Sequence, residues 1–180
     1  MIDTPQDTLR VLNIIAPGSV LAGGFLRDEA FGVPPKDLDY FSPSTLTLGA
    51  LQTVFPAAKR EPYSTFLEYT NEEVKAVYNI GTVAGFPAQV IALEEGIDPA
   101  SRIVRFDFGF CQVGMFEDGG RLYSDAFKAD QVNNTATLVH CESANEFTRS
   151  MKRWARLQRK YPDRLLVIPE EFQKWMQLPA

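Results

Sequence analysis

The stretch from Leu21 to Phe41 reads LAGGFLRDEAFGVPPKDLDYF, and it decides the fold. A short apolar run ends in Gly23 and Gly24, which predicts a buried strand that stops abruptly. Residues 25–31 have helical composition. A strand that runs through two glycines into a helix start leaves free backbone N–H groups and a positive dipole end directed at one place. Such a place suits a phosphate group.

Two carboxylates follow at the next predicted strand. Residues 38–41 have strand composition, and Asp37 and Asp39 are two residues apart. Residues at that spacing on a strand point to the same face, so we expect both carboxylates to point together. Paired negative charges are costly without a cation, and hard oxygen ligands suit Mg²⁺ or Mn²⁺. A backbone that binds phosphate, together with a metal site of two carboxylates, is suited to phosphoryl or nucleotidyl transfer.

The spacing Gly-Gly-x-x-Arg-Asp-x-x-x-Gly-x-x-x-Lys-Asp-x-Asp, over residues 23–39, resembles the signature of the poly(A) polymerase and CCA-adding type of nucleotidyltransferase, in the DNA polymerase β-like superfamily. A glycine turn followed by a solvated Asp-Leu-Asp is the alternative interpretation. The resemblance implies that Asp37 and Asp39 hold metal ions, that Asp28 braces the loop, and that nucleotide is bound by Gly23, Gly24, Arg27, Asp28 and Lys36.

A second run, RFDF over residues 105–108, is similar to the family's Arg-Arg-Asp-Phe motif. Arg105 and Asp107 match this motif, whereas Phe106 replaces the second arginine and Cys111 replaces a following asparagine. The resemblance implies that Arg105 contacts nucleotide and that Asp107 lies near the nucleotide sugar. Asp107 is then the candidate third catalytic carboxylate and metal ligand. The alternative is an aspartate that caps the next element.

Residues 73–80 and 86–93 both have strand composition, and the glycines of residues 81–85 predict the turn of a hairpin between them. In the resembled family the second strand often carries a glutamate, and Gln89 stands at the matching position here. A glutamine cannot supply a negative charge to a metal. Together with Phe106 and Cys111, Gln89 motivates a second hypothesis, a nucleotide-binding or partner-binding domain of the same fold with impaired catalysis.

Residues 143–161 form the clearest predicted helix, which begins with a capping box of Ser143 and Glu146. Apolar residues at helical spacing predict packing against a core, and they are Phe147, Met151, Trp154, Leu157 and Tyr161. The opposite face is basic and carries Arg149, Lys152, Arg153, Arg156, Arg159 and Lys160. This basic face is either solvated or meets a phosphate backbone or triphosphate, which makes RNA a candidate partner. Arg149 also loosely matches the family's base-selecting Glu-Asp-x-x-Arg motif and is a candidate nucleotide-binding residue.

Composition sets the broad class. The chain has 180 residues, 45% hydrophobic residues, 23% charged residues and a net charge of −5, as expected of a globular protein. No apolar run reaches membrane-spanning length, and the N-terminus has no signal-peptide pattern, so we expect a cytoplasmic protein without a membrane partner. Cys111 and Cys141 show no metal-binding spacing and are interpreted as buried, reduced thiols. His140 is the single histidine and is interpreted as structural.

The order of elements predicts an α+β fold, and the resemblance implies a mixed twisted sheet with helices packed on it and a C-terminal helical extension. We expect a catalytic domain over residues 1–140 and the extension over residues 141–180, packed together as one compact unit in a short single-domain member. The expected activity is Mg²⁺- or Mn²⁺-dependent transfer of an NMP from an NTP, such as ATP, to an acceptor hydroxyl, with release of pyrophosphate. The acceptor is an RNA 3′ end, a protein or a small molecule.

Overall fold

A computed structural model describes residues 2–62 and 73–176 of the chain. The chain divides into two compact units: Met1–Val104 with Val113–Leu122, and Arg105–Gln112 with Tyr123–Ala180. Neither unit begins or ends at residue 140, where the predicted catalytic domain ends. The extent of that domain stays a prediction. No helix within the two described ranges is long and apolar enough to cross a membrane.

The first unit is built on a mixed seven-stranded sheet, which confirms the predicted α+β fold class. Its strand order is β3-β4-β5-β2-β1-β6-β7. Strands β2 and β5 are parallel, whereas β1 is antiparallel to both of its neighbours, β2 and β6. The elements are α1 (Pro5–Ile15), β1 (Val20–Ala22), α2 (Gly24–Ala30), β2 (Leu38–Ser42), α3 (Leu48–Gln52), β3 (Lys59–Arg60), β4 (Val74–Val83), β5 (Phe86–Leu93), α4 (Pro99–Ile103), β6 (Val113–Met115) and β7 (Arg121–Tyr123).

Capping side chains explain where the helices of this unit begin. Thr4 caps α1 by accepting the N–H of Asp7 at 3.0 Å, and Asp98 caps α4, as the sequence predicts. The sequence also predicts that Ser42 or Ser44 caps the helix after β2, and this prediction is wrong. Thr47 caps that helix, because Ser42 continues β2 and its hydroxyl is hydrogen-bonded to that of Ser19 inside the core.

The predicted hairpin is confirmed as β4 and β5, but its turn is shorter than residues 81–85. Only Ala84 and Gly85 form the turn, and both have positive φ angles, of 52° and 84°. Gly81 instead lies inside β4 at an irregularity in the register, where the Asn79 side chain accepts its N–H at 2.8 Å. A glycine inside a strand therefore marks a bulge here rather than the turn.

The second unit contains a 3-10 helix (Gly109–Cys111), α5 (Asp125–Asn133), β8 (Thr135–Thr137), α6 (Ala144–Lys160), β9 (Leu165–Val167) and α7 (Glu170–Gln173). The sequence predicts a strand over residues 110–116, but the strand begins only at Val113, because the 3-10 helix occupies its first part. The sequence also predicts a strand over residues 135–139 as the last strand of the catalytic domain, but the strand that forms lies outside the seven-stranded sheet. As β8 it pairs in parallel with β9 and forms a separate two-stranded sheet.

A buried aspartate organises this second unit. Asp130 is 1% exposed, and its carboxylate accepts four hydrogen bonds, from the N–H groups of Phe110 and Thr137 and from the hydroxyls of Thr135 and Thr137. Arg164 donates to the carbonyls of Asp130 and Thr135, at 2.9 and 2.7 Å. Burial lowers the pKa of Arg164 below its usual value. These bonds connect the 3-10 helix, α5, β8 and the segment that leads into β9.

Helix α6 begins as the sequence predicts. The Ser143 hydroxyl accepts the N–H of Glu146 at 3.1 Å, while the Glu146 carboxylate accepts the N–H of Glu142 at 2.7 Å. Most of the predicted apolar face is buried, with Trp154 packed against the rings of Phe108 and Phe110. Met151 is only half-buried. The core packing predicted for this helix is therefore confirmed at Phe147, Trp154, Leu157 and Tyr161.

Candidate functional site

The aspartate pair lies at the start of β2. Asp39 belongs to the strand and is half-buried, whereas Asp37 precedes the strand and is exposed. The alternate residues Leu38 and Tyr40 are fully buried. Because side chains alternate along a strand, Asp39 lies on the open side, opposite Leu38 and Tyr40, whereas Asp37 lies outside the strand and is exposed.

Tyr40 connects this strand to the start of α1. Its hydroxyl donates to the carbonyl of Pro5 at 3.1 Å, and burial raises the pKa of Tyr40 above its usual value. The phenol therefore stays neutral and remains a hydrogen-bond donor. This contact holds the residue after Asp39, and the residue before it, Leu38, is fully buried.

Gln89 is the direct neighbour of Asp39 across the parallel pair of β2 and β5. Its carboxamide Nε2 donates to Oδ1 of Asp39 at 2.8 Å. The sequence identifies the position of Gln89 by resemblance, but it contains no local signal for this hydrogen bond. The register of two strands that are far apart in sequence creates the contact.

Of the two adjacent glycines, Gly23 and Gly24, only Gly23 has a backbone conformation that favours glycine. Gly23 has φ of 82° and ψ of −133°, a conformation that side chains rarely permit. Its N–H donates to the carbonyl of Val113 at 3.1 Å, so this N–H is used within the first unit, and the predicted role of Gly23 in nucleotide binding stays a prediction. Gly24 is the first residue of α2, and a Cβ added there would lie at ordinary contact distance, 3.5 Å, from the Arg27 side chain.

Arg27 and Asp28 form a buried ion pair beneath this turn. Nε and Nη2 of Arg27 lie 2.9 and 2.8 Å from Oδ1 of Asp28, and the two side chains are 4% and 1% exposed. Both residues belong to α2, and the brace role that the resemblance implies for Asp28 stays a prediction. Contact of the buried Arg27 guanidinium with a phosphate stays a prediction. Lys36, in the loop before β2, is exposed.

Asp107 is engaged by an arginine that the sequence does not assign to it. Oδ1 of Asp107 accepts from Nη1 of Arg153 at 2.5 Å and from the N–H of Phe108 at 3.0 Å. Arg153 is therefore half-buried and does not belong with the exposed basic face of α6. The signal that could have found it is the position beside Trp154, at the edge of the apolar face. The alternative of a capping aspartate is wrong, because Phe108 is the N-cap of the 3-10 helix.

The remaining basic residues differ in exposure. Arg105 is half-buried, whereas Arg149, Lys152, Arg156 and Arg159 are exposed along α6. Of the predicted site residues, the first unit contains Gly23, Gly24, Arg27, Asp28, Lys36, Asp37 and Asp39, and the second contains Arg105, Asp107 and Arg149.

Two other features of the described residues lie apart from these positions. A pocket of about 370 Å³ in the first unit is lined by residues that include Asn13, Ser19 and Asp98, and it contains none of the predicted site residues. In the second unit, ligand atoms of His140, Glu142 and Glu146 lie within 4.8 Å of one another. Capping of α6 by Glu146 accounts for this cluster.

Both cysteines are buried and form no disulfide with each other, in agreement with the interpretation as reduced thiols. The Cys141 thiol donates to the carbonyl of Ser143 at 3.4 Å. Burial raises the pKa of Cys141 above its usual value, so this thiol is a weak nucleophile near neutral pH.

Comparison with solved structures identifies the fold. A CCA-adding enzyme in complex with ATP is 16% identical and superposes with a TM-score of 0.63, covering 97% of this chain and 42% of that one. The Thermotoga maritima CCA-adding enzyme complexed with tRNA is 14% identical, with a TM-score of 0.61 and coverages of 97% and 42%. An apo form of a tRNA-processing enzyme is 12% identical, with a TM-score of 0.62 and coverages of 95% and 45%.

At these identities the similarity shows the fold, a mixed α+β fold shared with part of the CCA-adding enzymes. This chain spans less than half the length of those structures. No family model matches the sequence. No curated protein matches it either.

Proposed function

We propose that this chain is a metal-dependent nucleotidyltransferase that transfers an NMP from an NTP to an acceptor hydroxyl and releases pyrophosphate. The observation that carries the proposal is that two aspartates lie at the start of β2, with Asp37 exposed and Asp39 half-buried. They occupy this position in a sheet whose fold is shared with nucleotidyltransferases of the CCA-adding type.

The residues at the start of β2 fit a divalent cation. Asp37 and Asp39 offer carboxylate oxygens, which Mg²⁺ and Mn²⁺ prefer, and the first is exposed while the second is half-buried. When bound, the ions would supply charge neutralisation for the triphosphate and activation of the acceptor hydroxyl. The buried Arg27–Asp28 pair would hold the turn at Gly23 and Gly24 in place for the nucleotide, with Lys36 as a further candidate contact.

We propose RNA as the acceptor. Four exposed basic residues along α6 provide an electropositive surface suited to a phosphate backbone, and they are Arg149, Lys152, Arg156 and Arg159. Solved structures of similar fold include complexes of CCA-adding enzymes with ATP, CTP and tRNA. A protein or small-molecule hydroxyl would use the same chemistry and is the outcome to expect if the basic surface does not bind RNA.

A nucleotide-binding domain with impaired catalysis is the second candidate. Two observations favour it. Gln89 brings no charge to the position beside Asp39, and Asp107 is paired with Arg153. Both candidates would bind an NTP, but only the enzyme releases pyrophosphate in a metal-dependent way.

The test incubates the whole chain with each α-labelled NTP, Mg²⁺ or Mn²⁺, and RNA, protein or metabolite fractions in turn. The enzyme proposal expects label in one fraction, stoichiometric pyrophosphate, and loss of both with EDTA or in the Asp37→Ala/Asp39→Ala double variant. NTP binding without pyrophosphate under every condition would favour the second candidate.

A further inference from the structure

We infer that Gln89 is a positioning residue, which orients the Asp39 carboxylate toward a divalent cation. The inference rests on the proposed function of Asp37 and Asp39 as cation ligands. It assigns Gln89 a role of its own and does not treat it as a lost third carboxylate.

The backbone holds the two side chains beside each other. Asp39 and Gln89 are paired in register on adjacent parallel strands, whose spacing is about 4.8 Å. The flanking positions are fixed in the core, where Leu38 pairs with Ala88 and Tyr40 pairs with Val90. Because paired residues share a face, Gln89 reaches the open side of the sheet with Asp39. The backbone on both strands is therefore held in place beside the bond between Gln89 and Asp39.

The chemistry of the contact requires the amide nitrogen. An ionised carboxylate accepts hydrogen bonds only, so the Gln89 side chain must present Nε2 and not its oxygen. The observed distance from Nε2 to Oδ1 is 2.8 Å, as expected for a bond to a charged acceptor. This bond uses one of the roughly four acceptor positions of a carboxylate.

A glutamate at position 89 would act differently. Ionised glutamate cannot donate a hydrogen bond, and its charge would oppose that of Asp39. Glutamine instead adds a hydrogen-bond donor without adding a negative charge beside Asp39. Partners that hydrogen-bond to a metal ligand typically affect metal affinity or activity about 10- to 100-fold.

The adjacent strand offers a matched control. Asn79 on β4 is paired in register with Gln89, on the side away from β2, and is exposed. It carries the same carboxamide group, and its side-chain oxygen accepts from Gly81 within its own strand. A loss of function at Gln89 but not at Asn79 would therefore reflect the contact with Asp39 and not a general loss of amide groups from this face.

The experiment compares the whole chain with Gln89→Met and Asn79→Ala. Methionine keeps the length and bulk of the side chain and removes the donor, so packing is preserved. Mn²⁺ binding is measured by electron paramagnetic resonance of the free ion, NMP transfer is measured with labelled NTP, and thermal unfolding monitors the fold. We expect Gln89→Met to weaken Mn²⁺ binding about tenfold and to lower kcat similarly, with the KM for NTP unchanged. Asn79→Ala should bind Mn²⁺ like the wild type.

Each other result has a defined meaning. Mn²⁺ affinity of Gln89→Met within twofold of wild type would overturn the inference and leave the proposed function standing. A wild-type chain that binds Mn²⁺ but transfers no nucleotide would overturn the proposed function, and the Mn²⁺ affinities would still decide the role of Gln89. A wild-type chain that binds no Mn²⁺ would overturn both.

Discussion

Arg153 of α6 holds the carboxylate of Asp107, with Nη1 and Oδ1 2.5 Å apart. The side chains are 35% and 16% exposed, so water screens the pair only in part. The carbonyl of Asp107 also accepts the N–H of Val139 at 2.8 Å. Through these contacts a single residue connects the 3-10 segment to α6 and to the chain that follows β8.

A double-mutant cycle tests this ion pair. We expect Asp107→Asn and Arg153→Met each to lower the free energy of unfolding, with a coupling of about 1 kcal/mol between them, because the pair is half-buried and hydrogen-bonded. Urea unfolding of the four proteins measures it. A coupling near zero would contradict a stabilising role. Weaker Mn²⁺ binding in Asp107→Asn alone would instead support the metal role implied by the resemblance.

Single substitutions of the aspartate pair test the metal assignment. We expect Asp37→Ala and Asp39→Ala each to abolish NMP transfer, because each removes a cation ligand. Stability should change little, since removing one of two neighbouring negative charges relieves repulsion. Asp3→Ala, at an exposed position of the same unit, is the control and should retain wild-type activity. Transfer at an appreciable rate by the double variant would refute the assignment.

The two glycines before α2 should respond oppositely to alanine. Gly23→Ala is expected to cost about 2 kcal/mol of stability, because alanine rarely adopts the φ of 82°. Gly24→Ala should fold normally, since the added methyl group has room and alanine suits a helix. If the triphosphate approaches Gly24 closely, Gly24→Ala should weaken NTP binding about tenfold, which is roughly 1.4 kcal/mol. Unchanged affinity would remove Gly24 from the nucleotide site.

Salt dependence tests the basic surface of α6. Charge reversal at Lys152, Arg156 and Arg159 leaves the buried face unchanged, so folding should persist. We expect RNA affinity to fall several-fold at low salt and its dependence on salt to flatten, because fewer phosphates are neutralised. NTP affinity should change little. A triple variant that transfers nucleotide to its acceptor like the wild type at every ionic strength would favour a protein or small-molecule acceptor.

Substitution of the buried Asp130 should affect stability alone. Asp130→Ala leaves several buried donors without an acceptor, and we expect a loss of about 3 kcal/mol or more. Asp125→Ala, on the exposed first turn of the same helix, should cost under about 1 kcal/mol. Chemical denaturation compares the two. Equal losses would mean that the hydrogen bonds to Asp130 contribute little.

Local patterns explain what the sequence predicts well. Caps such as Thr4 and Ser143 act within three residues, and the strand around Asp39 follows from its own composition. The fold class follows from the order of such elements. The glycine motif identifies the same fold that the solved structures share.

Contacts between distant segments explain what the sequence could not predict. The Asp39–Gln89 bond depends on strand register, and the parallel pairing of β8 with β9 depends on how the chain returns after α6. Arg153 is one of several basic residues in its helix, and only tertiary packing selects it as the partner of Asp107. The functional roles of the predicted site residues stay predictions.

The late arrival of β6 has a consequence for the growing polypeptide. Strand β1, which leads into the two glycines, pairs on one side with β6 through Leu21–Met115 and Ala22–Gly114. During synthesis from the N-terminus, the ribosome makes β1 long before β6. Until Val113 is made, that side of β1 has an unpaired edge and the N–H of Gly23 lacks its acceptor. In this interval the unpaired edge of β1 would be open to pairing with another strand.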